Sequence, residues 1–423
     1  MSYKVDYSQF PNRSIVCIDM MSFYASCIAV LHNLDIRKVP IAVVGNLQHP
    51  GSIVLAASPP MKQRFGIRSA RSRLYDIPNH PEIRVFEAKM QYFLEMSMAV
   101  TDILHTYVPP EAVHVYSVDE SFIDLTGTEK LWGNPEDTVQ RIQEEILNTL
   151  QLHSTAGMGP NMLMAKLALD LEAKKSGFAK WTFEDVQTKL WPVSPLREMW
   201  GIGSRTEKTL NNMGIFTVGQ LANVPLSLLE DKFGVMGNQL YHHAWGIDLS
   251  KLGSPIESGQ ISYGKGQILM RDYNKIEEVH TVLLEMCEDV AKRARDVLQS
   301  ARTISLAIGY SKNAFGGGFQ RSRTVEEATN DTMKIYQTCK ELLKENYNGS
   351  PVRQISISIT KLEDEHSMQL SLFEKDNWKN RKLAAAMDGI RNRYGSASLL
   401  RAVSYTPAGT AVKRSKMLGG QKL

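Results

Sequence analysis

Cysteine is scarce: the 423 residues include only Cys17, Cys27, Cys287 and Cys339, with no Cys-x-x-Cys pair and no histidine at zinc spacing beside them. That excludes a disulfide-stapled scaffold and a cysteine-based zinc module, and leaves four reduced packing residues. Long apolar runs are lacking too. The most apolar N-terminal stretch, Ser14 to Leu31, is interrupted by Asp19, whereas a bilayer span needs about 18 uncharged apolar residues, so no membrane partner is expected. The first twelve residues carry Lys4 and Asp6 but no apolar core with a small-residue cleavage site, which argues against a secretory signal and for a cytoplasmic protein. Charge of one sign is nearly balanced, with 49 Lys and Arg against 45 Asp and Glu.

What is present suits a folded, multidomain chain. Hydrophobic residues make up 43% and charged residues 22%, close to the soluble average, and 423 residues exceed what one hydrophobic core accommodates. The small net charge of +4 conceals two basic clusters. From Glu374 onward there are eleven Lys and Arg against Glu374, Asp376 and Asp388; Lys292, Arg293, Arg295, Arg302, Lys312, Arg321 and Arg323 have Asp296 as the one acid among them. Local clusters count for more than totals in contacts with a phosphate backbone.

Along the chain, the β-prone run Ser14 to Ile18 ends in Asp19, as a buried strand delivering a carboxylate would. A helix over Phe23 to Leu34 and strands over Pro40 to Val44 and Ser52 to Ala57 follow. A helix over Tyr92 to Tyr107 leads into a hairpin, Val113 to Ser117 and Ser121 to Leu125, with Asp119 and Glu120 at its tip. Next come a Pro-started helix over Pro135 to Leu150 capped by Asn134, a strand over Ser154 to Met158 and a helix over Asn161 to Lys174. Alternating strands and helices make this an α/β domain. Pro192 to about Gly246 is purely helical, with turns at Gly201, Gly203, Gly214, Gly234 and Gly237. After the Gly/Ser/Pro linker Gly253 to Gly259, strands alternate with helices over Ile276 to Ser300 and Asp331 to Asn346 in a separate α+β domain.

Asp19, Asp119 and Glu120 carry the chemistry. Phosphoryl transfer uses two divalent cations about 3.5 to 4 Å apart, and Mg²⁺ prefers oxygen ligands while keeping several waters, so three carboxylates from neighbouring strand ends suffice. An Asp-Glu pair in a hairpin turn is common; its context is not. Asp19-Met-Met-Ser-Phe-Tyr24 resembles the first motif of the Y-family, lesion-bypassing DNA polymerases, Tyr116-Ser-Val-Asp-Glu-Ser-Phe the second almost letter for letter, and Gly159-Pro-Asn-Met-Leu-Met-Ala-Lys-Leu-Ala running into Lys174-Lys-Ser-Gly177 the third. The likeness covers residues 13 to 373 and is strongest to the UmuC-like bacterial branch.

The resemblance implies a right-hand polymerase: palm (1–22 and 85–178), small fingers (23–84), helical thumb with a helix-hairpin-helix (179–250), linker (251–259), little finger (260–363), and a clamp-binding peptide with a basic C-terminal tail (364–423). It implies template-directed, low-fidelity synthesis past lesions in the SOS response on primer-template DNA and dNTP, with two Mg²⁺ ions held by Asp19, Asp119, Glu120 and the Met20 carbonyl. Ser117 and Ser121 flank the acids. Tyr24 would be the steric gate under the deoxyribose, with Phe23 beside it on the substrate side, and Lys174 or its neighbour Lys175 would reach the triphosphate. The fingers' usual Tyr-x-x-Arg phosphate grip is replaced by Pro60-Met-Lys-Gln63, so Lys62 and Arg64 become the candidate cations, while Ala56, Ala57 and Ser58 offer small side chains towards the nucleotide. Trp200-Gly-Ile-Gly203 resembles a hairpin whose Gly201 and Gly203 let backbone N–H groups approach a DNA phosphate; Arg321 and Arg323 would track the DNA backbone. Gln369-Leu370-Ser-Leu372-Phe373 resembles a sliding-clamp peptide, and the branch leaves room for an accessory SOS subunit. The competing reading is a non-catalytic DNA- and clamp-binding protein at stalled forks, against which an intact acid triad counts because idle neighbouring carboxylates repel one another.

Overall fold

The computed structural model describes residues 5–253, 262–312, 314, 317–365, 377–418 and 421–422. It divides into two compact units, Met1–Pro255 with Gln421–Leu423, and Ile256–Gly420.

The first unit is built on β1 (Ile15–Met20), whose Ile15, Val16, Cys17 and Ile18 are all buried. A strand covered on both faces needs such a continuous apolar run. It forms the middle of a sheet ordered β5-β6-β1-β7-β8, with β5 (Val113–Val115), β6 (Glu120–Asp124), β7 (Ser154–Gly159) and β8 (Phe178–Lys180). Helices α1 (Phe23–Leu31), α3 (Met90–Tyr107) and α5 (Pro135–Leu150) share a core with Val16, Ile18 and Met20. Ile15 and Cys17 face the other way, into a core with α6 (Met162–Ala168) and the helical segment beyond it. Two glycines set how closely α6 approaches. A Cβ on Gly157 would lie 2.2 Å from the Leu169 nitrogen and one on Gly159 2.6 Å from the Ala165 nitrogen, so only glycine at these sites lets the backbones meet.

Between α1 and α3, a small sheet ordered β3-β2-β4 pairs β2 (Ile41–Val44) with β3 (Val54–Ala57) and, in parallel, with β4 (Arg84–Glu87). Helix α2 (Pro59–Phe65) starts at Ser58, whose hydroxyl accepts from Met61 N–H and also from Ile41 N–H. This corrects the placing of Ala56, Ala57 and Ser58 on a nucleotide: all three are buried, and Ser58 is committed to the backbone. Short helices α8 (Ser204–Asn212), α9 (Val218–Ala222), α10 (Leu226–Phe233) and α11 (Val235–Ala244) complete the unit, as the glycine-punctuated pattern predicts.

The second unit is an antiparallel sheet ordered β11-β10-β12-β9, with β9 (Tyr263–Tyr273), β10 (Gln299–Tyr310), β11 (Gly318–Thr329) and β12 (Val352–Asp364). Ile304, Leu306, Ile355 and Ile357 pack beneath α12 (Ile276–Asp296) and α13 (Thr332–Asn346). The alternate residues Thr303, Ser305, Ser322 and Thr324 form the open face, where Thr303 bonds Thr324 and Ser305 bonds Ser322 across the strands. Arg321 pairs with Leu306 and Arg323 with Ile304, so both arginines emerge on the helix side.

The basic C-terminal region is not a free tail over 377–418. Helix α14 (Asn377–Tyr394) meets α12 through Arg295, which donates to Asp388 at 2.7 Å, and Arg391, 3.2 Å from Glu288. Arg401 also reaches Glu288, Thr410 donates to the buried Glu285 at 2.7 Å, and Tyr273 donates its hydroxyl to the Ala408 carbonyl. Much of the positive charge read as a surface cluster is therefore neutralised within this unit. The peptide Gln369 to Phe373 lies outside the described residues.

Candidate active site

Strand register brings the acids together. Asp19 lies directly opposite Glu120 across the β1–β6 pair, and Met20 N–H donates to the Asp119 carbonyl at 2.9 Å. Opposed residues in an antiparallel pair share a face, here the face towards α6, while the Met20 side chain is buried on the other. Ser117 donates to the Asp119 carboxylate at 2.7 Å and so holds the turn acid in place; Ser121 is buried behind it.

Each acid has company. Glu120 is nearly buried and accepts from the Cys17 thiol at 2.9 Å, and Lys166 Nζ stands 2.6 Å from its Oε1. Burial penalises the Lys166 ammonium, but the hydrogen bond to Glu120 and the charge of Asp170 carry its pKa above the ordinary lysine value. Burial likewise pushes the Cys17 thiol well up, with the Glu120 charge adding to the effect. Asp19 is pushed up to about 6 by burial, against the pull of Lys174, with Asp119 and Glu120 raising it further. Lys174 Nζ lies 3.7 Å from Asp19 and 2.6 Å from Asp170; of the two adjacent lysines, it is Lys174 that meets the acids.

The other expected contacts separate. Lys62 hydrogen-bonds Ser22 at 2.9 Å, and its ammonium is lowered by burial, supported by Asp19 and opposed by Lys174, which puts it at the edge of the acid cluster. Arg64 instead pairs with Glu82 and lies over the Phe65 ring, which takes it out of the site. Tyr24 is half-buried and stacks on Phe93 with ring centroids 4.5 Å apart. Phe23, expected on the substrate side, is 2% exposed and belongs to the core. Arg323 is engaged by Glu341 and Glu345, at 2.7 Å each, whereas Arg321 is exposed. Gly201 has φ +93°, a conformation that suits glycine, and a Cβ on Gly203 would meet nothing within 4 Å, so the hairpin backbone is open to an approaching group. Trp200 anchors that hairpin against Tyr116, its indole N–H 3.4 Å from the Tyr116 hydroxyl. A cleft of about 610 Å³, lined by Tyr116, Asp170, Lys174, Trp200 and Gly203, runs from Asp170 and Lys174 to the hairpin.

Sequence reasoning missed Lys166, Asp170 and Cys17. The signal was the Lys-x-x-x-Asp-x-x-x-Lys spacing over 166 to 174, which places like positions on one helical face. The expected single helix there is broken: α6 gives way to a π turn, Leu169–Ala173, and then to α7 (Lys174–Ser176).

Among the described residues, no group of three His, Cys, Asp or Glu side chains is gathered at metal-holding distances; lysine ammoniums stand beside two of the carboxylates. The donor set nonetheless fits a hard dication, since three carboxylates from adjacent strand ends supply oxygen alone.

Residues 18–170 match the impB/mucB/samB family, 260–372 the C-terminal domain of that family and 184–215 its HHH motif. The chain is 53% identical to UvrX of Bacillus subtilis (strain 168), named for UV-damage repair, over 99% of this chain and 100% of that one. It is 37% identical to DNA polymerase IV 2 of the same organism, over 96% and 98% respectively. The solved Y-family DNA polymerase chimera Dbh-Dpo4(243-245)-Dbh has this fold, with a TM-score of 0.65 at 19% identity over 83% of this chain and 99% of that one.

The raised Asp19 carboxyl yields a pH test in metal-free protein. Between about pH 4 and 6 the folded chain keeps a proton that the unfolded chain has released, so wild type loses stability as pH rises through that window. Asp19→Asn should therefore be the more stable protein above pH 6, by on the order of 2 kcal/mol, and the gap should close towards pH 4. Denaturant unfolding in chelator at both ends of the window measures it; a gap independent of pH contradicts the assignment.

Proposed function

The chain belongs to the impB/mucB/samB family of Y-family DNA polymerases, and on that premise we propose that Asp19, Asp119 and Glu120 serve template-directed nucleotidyl transfer with two Mg²⁺ ions. The observation that carries this reading is the register that sets Asp19 opposite Glu120 with Asp119 in the adjoining turn. Bound by these carboxylates and the Met20 carbonyl, the two ions would lower the pKa of the primer hydroxyl and neutralise the leaving pyrophosphate. The rest is positioning by the chain itself.

Ser117 fixes the rotamer of Asp119. Lys174 and Lys62, at the rim of the acid cluster, neutralise the triphosphate in place of the absent Tyr-x-x-Arg pair; as point charges they bind without the bidentate geometry of an arginine. Tyr24, braced by Phe93, presents its ring where the sugar lies and excludes a ribose 2′-hydroxyl. The open backbone at Gly201 to Gly203 takes a phosphate of the primer-template along the cleft, and in the second unit the hydroxyl-lined open face contacts DNA without reading sequence, with the exposed Arg321 on the opposite, helix-bearing face.

The small fingers, helices α1 and α2 with the β3-β2-β4 sheet, enclose little of a nascent base pair. Low fidelity and tolerance of lesions follow. Gln369 to Phe373 recruits the protein to a sliding clamp, with Leu372 and Phe373 as apolar anchors, and an accessory SOS subunit can join the assembly.

Primer extension with purified protein and Mg²⁺ tests the reading. Asp119→Asn and Glu120→Gln should each lower the extension rate by on the order of 10³-fold, because a ligand charge in such a centre supplies several kcal/mol to the transition state. Affinity for primer-template, measured by anisotropy, should stay within about twofold, since neither acid is a phosphate contact. Extension at the wild-type rate by the double variant would end the proposal. The steric gate has its own readout: Tyr24→Ala should raise incorporation of ribonucleotides relative to deoxyribonucleotides at least about tenfold, a change of about 1.4 kcal/mol in discrimination, and an unchanged ratio removes Tyr24 from that role.

A further inference from the structure

Lys166, Asp170 and Lys174 follow at four-residue intervals along the segment that faces the acids, and with Glu120 and Asp19 they form an unbroken alternation of charge. Lys166 Nζ is 2.6 Å from Glu120 and 3.2 Å from Asp170 Oδ2; Lys174 Nζ is 2.6 Å from Asp170 Oδ1 and 3.7 Å from Asp19 Oδ2. The order is Glu120, Lys166, Asp170, Lys174, Asp19.

The two contacts of Lys174 are unequal. The one to Asp170 is a charge-assisted hydrogen bond, whereas 3.7 Å to Asp19 is Coulombic attraction without one. Lys166 cannot exchange with Lys174, because its side chain is 8% exposed and held by Glu120. Asp170 itself stands on a backbone that cannot recede: it lies in the π turn Leu169–Ala173, and the start of that turn presses on Gly157 so closely that no Cβ fits between. Insertion of a π turn into a helix re-aims whatever follows it, and here Lys174 follows. A fixed carboxylate thus grips a long, half-exposed cation that has a second acid within reach.

We propose that Asp170 is a positioning residue of the nucleotidyl-transfer site. Its carboxylate tethers Lys174, keeps the ammonium from closing on Asp19, leaves Asp19 to a divalent cation, and presents Lys174 to the phosphates of a nucleoside triphosphate in the cleft. The inference rests on the reading of Asp19 as a metal ligand and Lys174 as a phosphate cation. Without the Asp170 charge, Asp19 becomes the nearest acid to Lys174, and the ammonium competes with the metal for it.

Asp170→Asn, Lys174→Met and the double variant separate this from a structural role. Metal affinity is read by titrating stripped protein with Mn²⁺ and following the free ion by electron paramagnetic resonance, and dNTP KM and kcat are measured in primer extension at saturating metal. Asp170→Asn should weaken Mn²⁺ binding about tenfold, or about 1.4 kcal/mol. Adding Lys174→Met should return the affinity to that of Lys174→Met alone, while dNTP KM stays raised about tenfold and kcat falls less. Unchanged Mn²⁺ affinity in Asp170→Asn, or an equal loss with and without Lys174, overturns the tether. If Asp19→Asn binds Mn²⁺ as wild type does, the metal reading itself has failed. Should Asp170→Asn not fold, Asp170→Ser carries the same comparison.

Discussion

Two carboxylates held side by side on one face of a sheet are the constraint on which the rest of this structure depends. Asp19 and Glu120 are fixed opposite each other by strand register, with Asp119 one residue away, in surroundings dry enough to raise the Asp19 carboxyl to about 6. Like charges so placed repel, and desolvation adds to the cost. The chain answers with cations brought from the neighbouring layer. Gly157 and Gly159 let that layer press against the sheet, which puts Lys166 on Glu120 and Lys174 near Asp19. Two lysines offset only part of the charge of Glu120, Asp119, Asp19 and Asp170.

Much of this could be read in the sequence. An apolar run ended by Asp19 is what a doubly covered strand with a carboxylate at its tip looks like, and the Asp119-Glu120 hairpin and the Asn134 cap of α5 are visible for similar local reasons. The π turn was not. One additional residue absorbed beside Leu169 leaves the four-residue spacing of Lys166, Asp170 and Lys174 intact, so the chain there reads as plain helix. The choice between Lys62 and Arg64 was also hidden, since the rotational phase of a seven-residue helix is set by its packing on β2 and by the Ser58 cap.

Two misjudgements came from reading charge without its partners. Charge alone marks Arg323 as a DNA contact, yet Phe319 and Val325 share its parity in β11 and pack on the core, so alternation points that arginine, and Arg321 with it, towards the helices. The C-terminal cations read as a tail because their acids lie far away in sequence: Arg401 is 113 residues from Glu288 and Arg414 is 125 from Asp289. No local pattern reports such pairs. Buried ion pairs of this sort are strongly destabilising to break singly, which makes the segment over 377–418 part of its unit's architecture.

The central proposal is that Asp19 and Glu120, set opposite each other by register, and Asp119 in the adjoining turn hold two divalent ions. Counting Mn²⁺ ions by electron paramagnetic resonance in a complex with primer-template and a non-hydrolysable dNTP addresses that claim directly. It predicts two ions per protein, spin-coupled at short separation, and loss of that coupled signal when Glu120 is changed to Gln. A single uncoupled ion, or a coupled pair that survives the change, would contradict it.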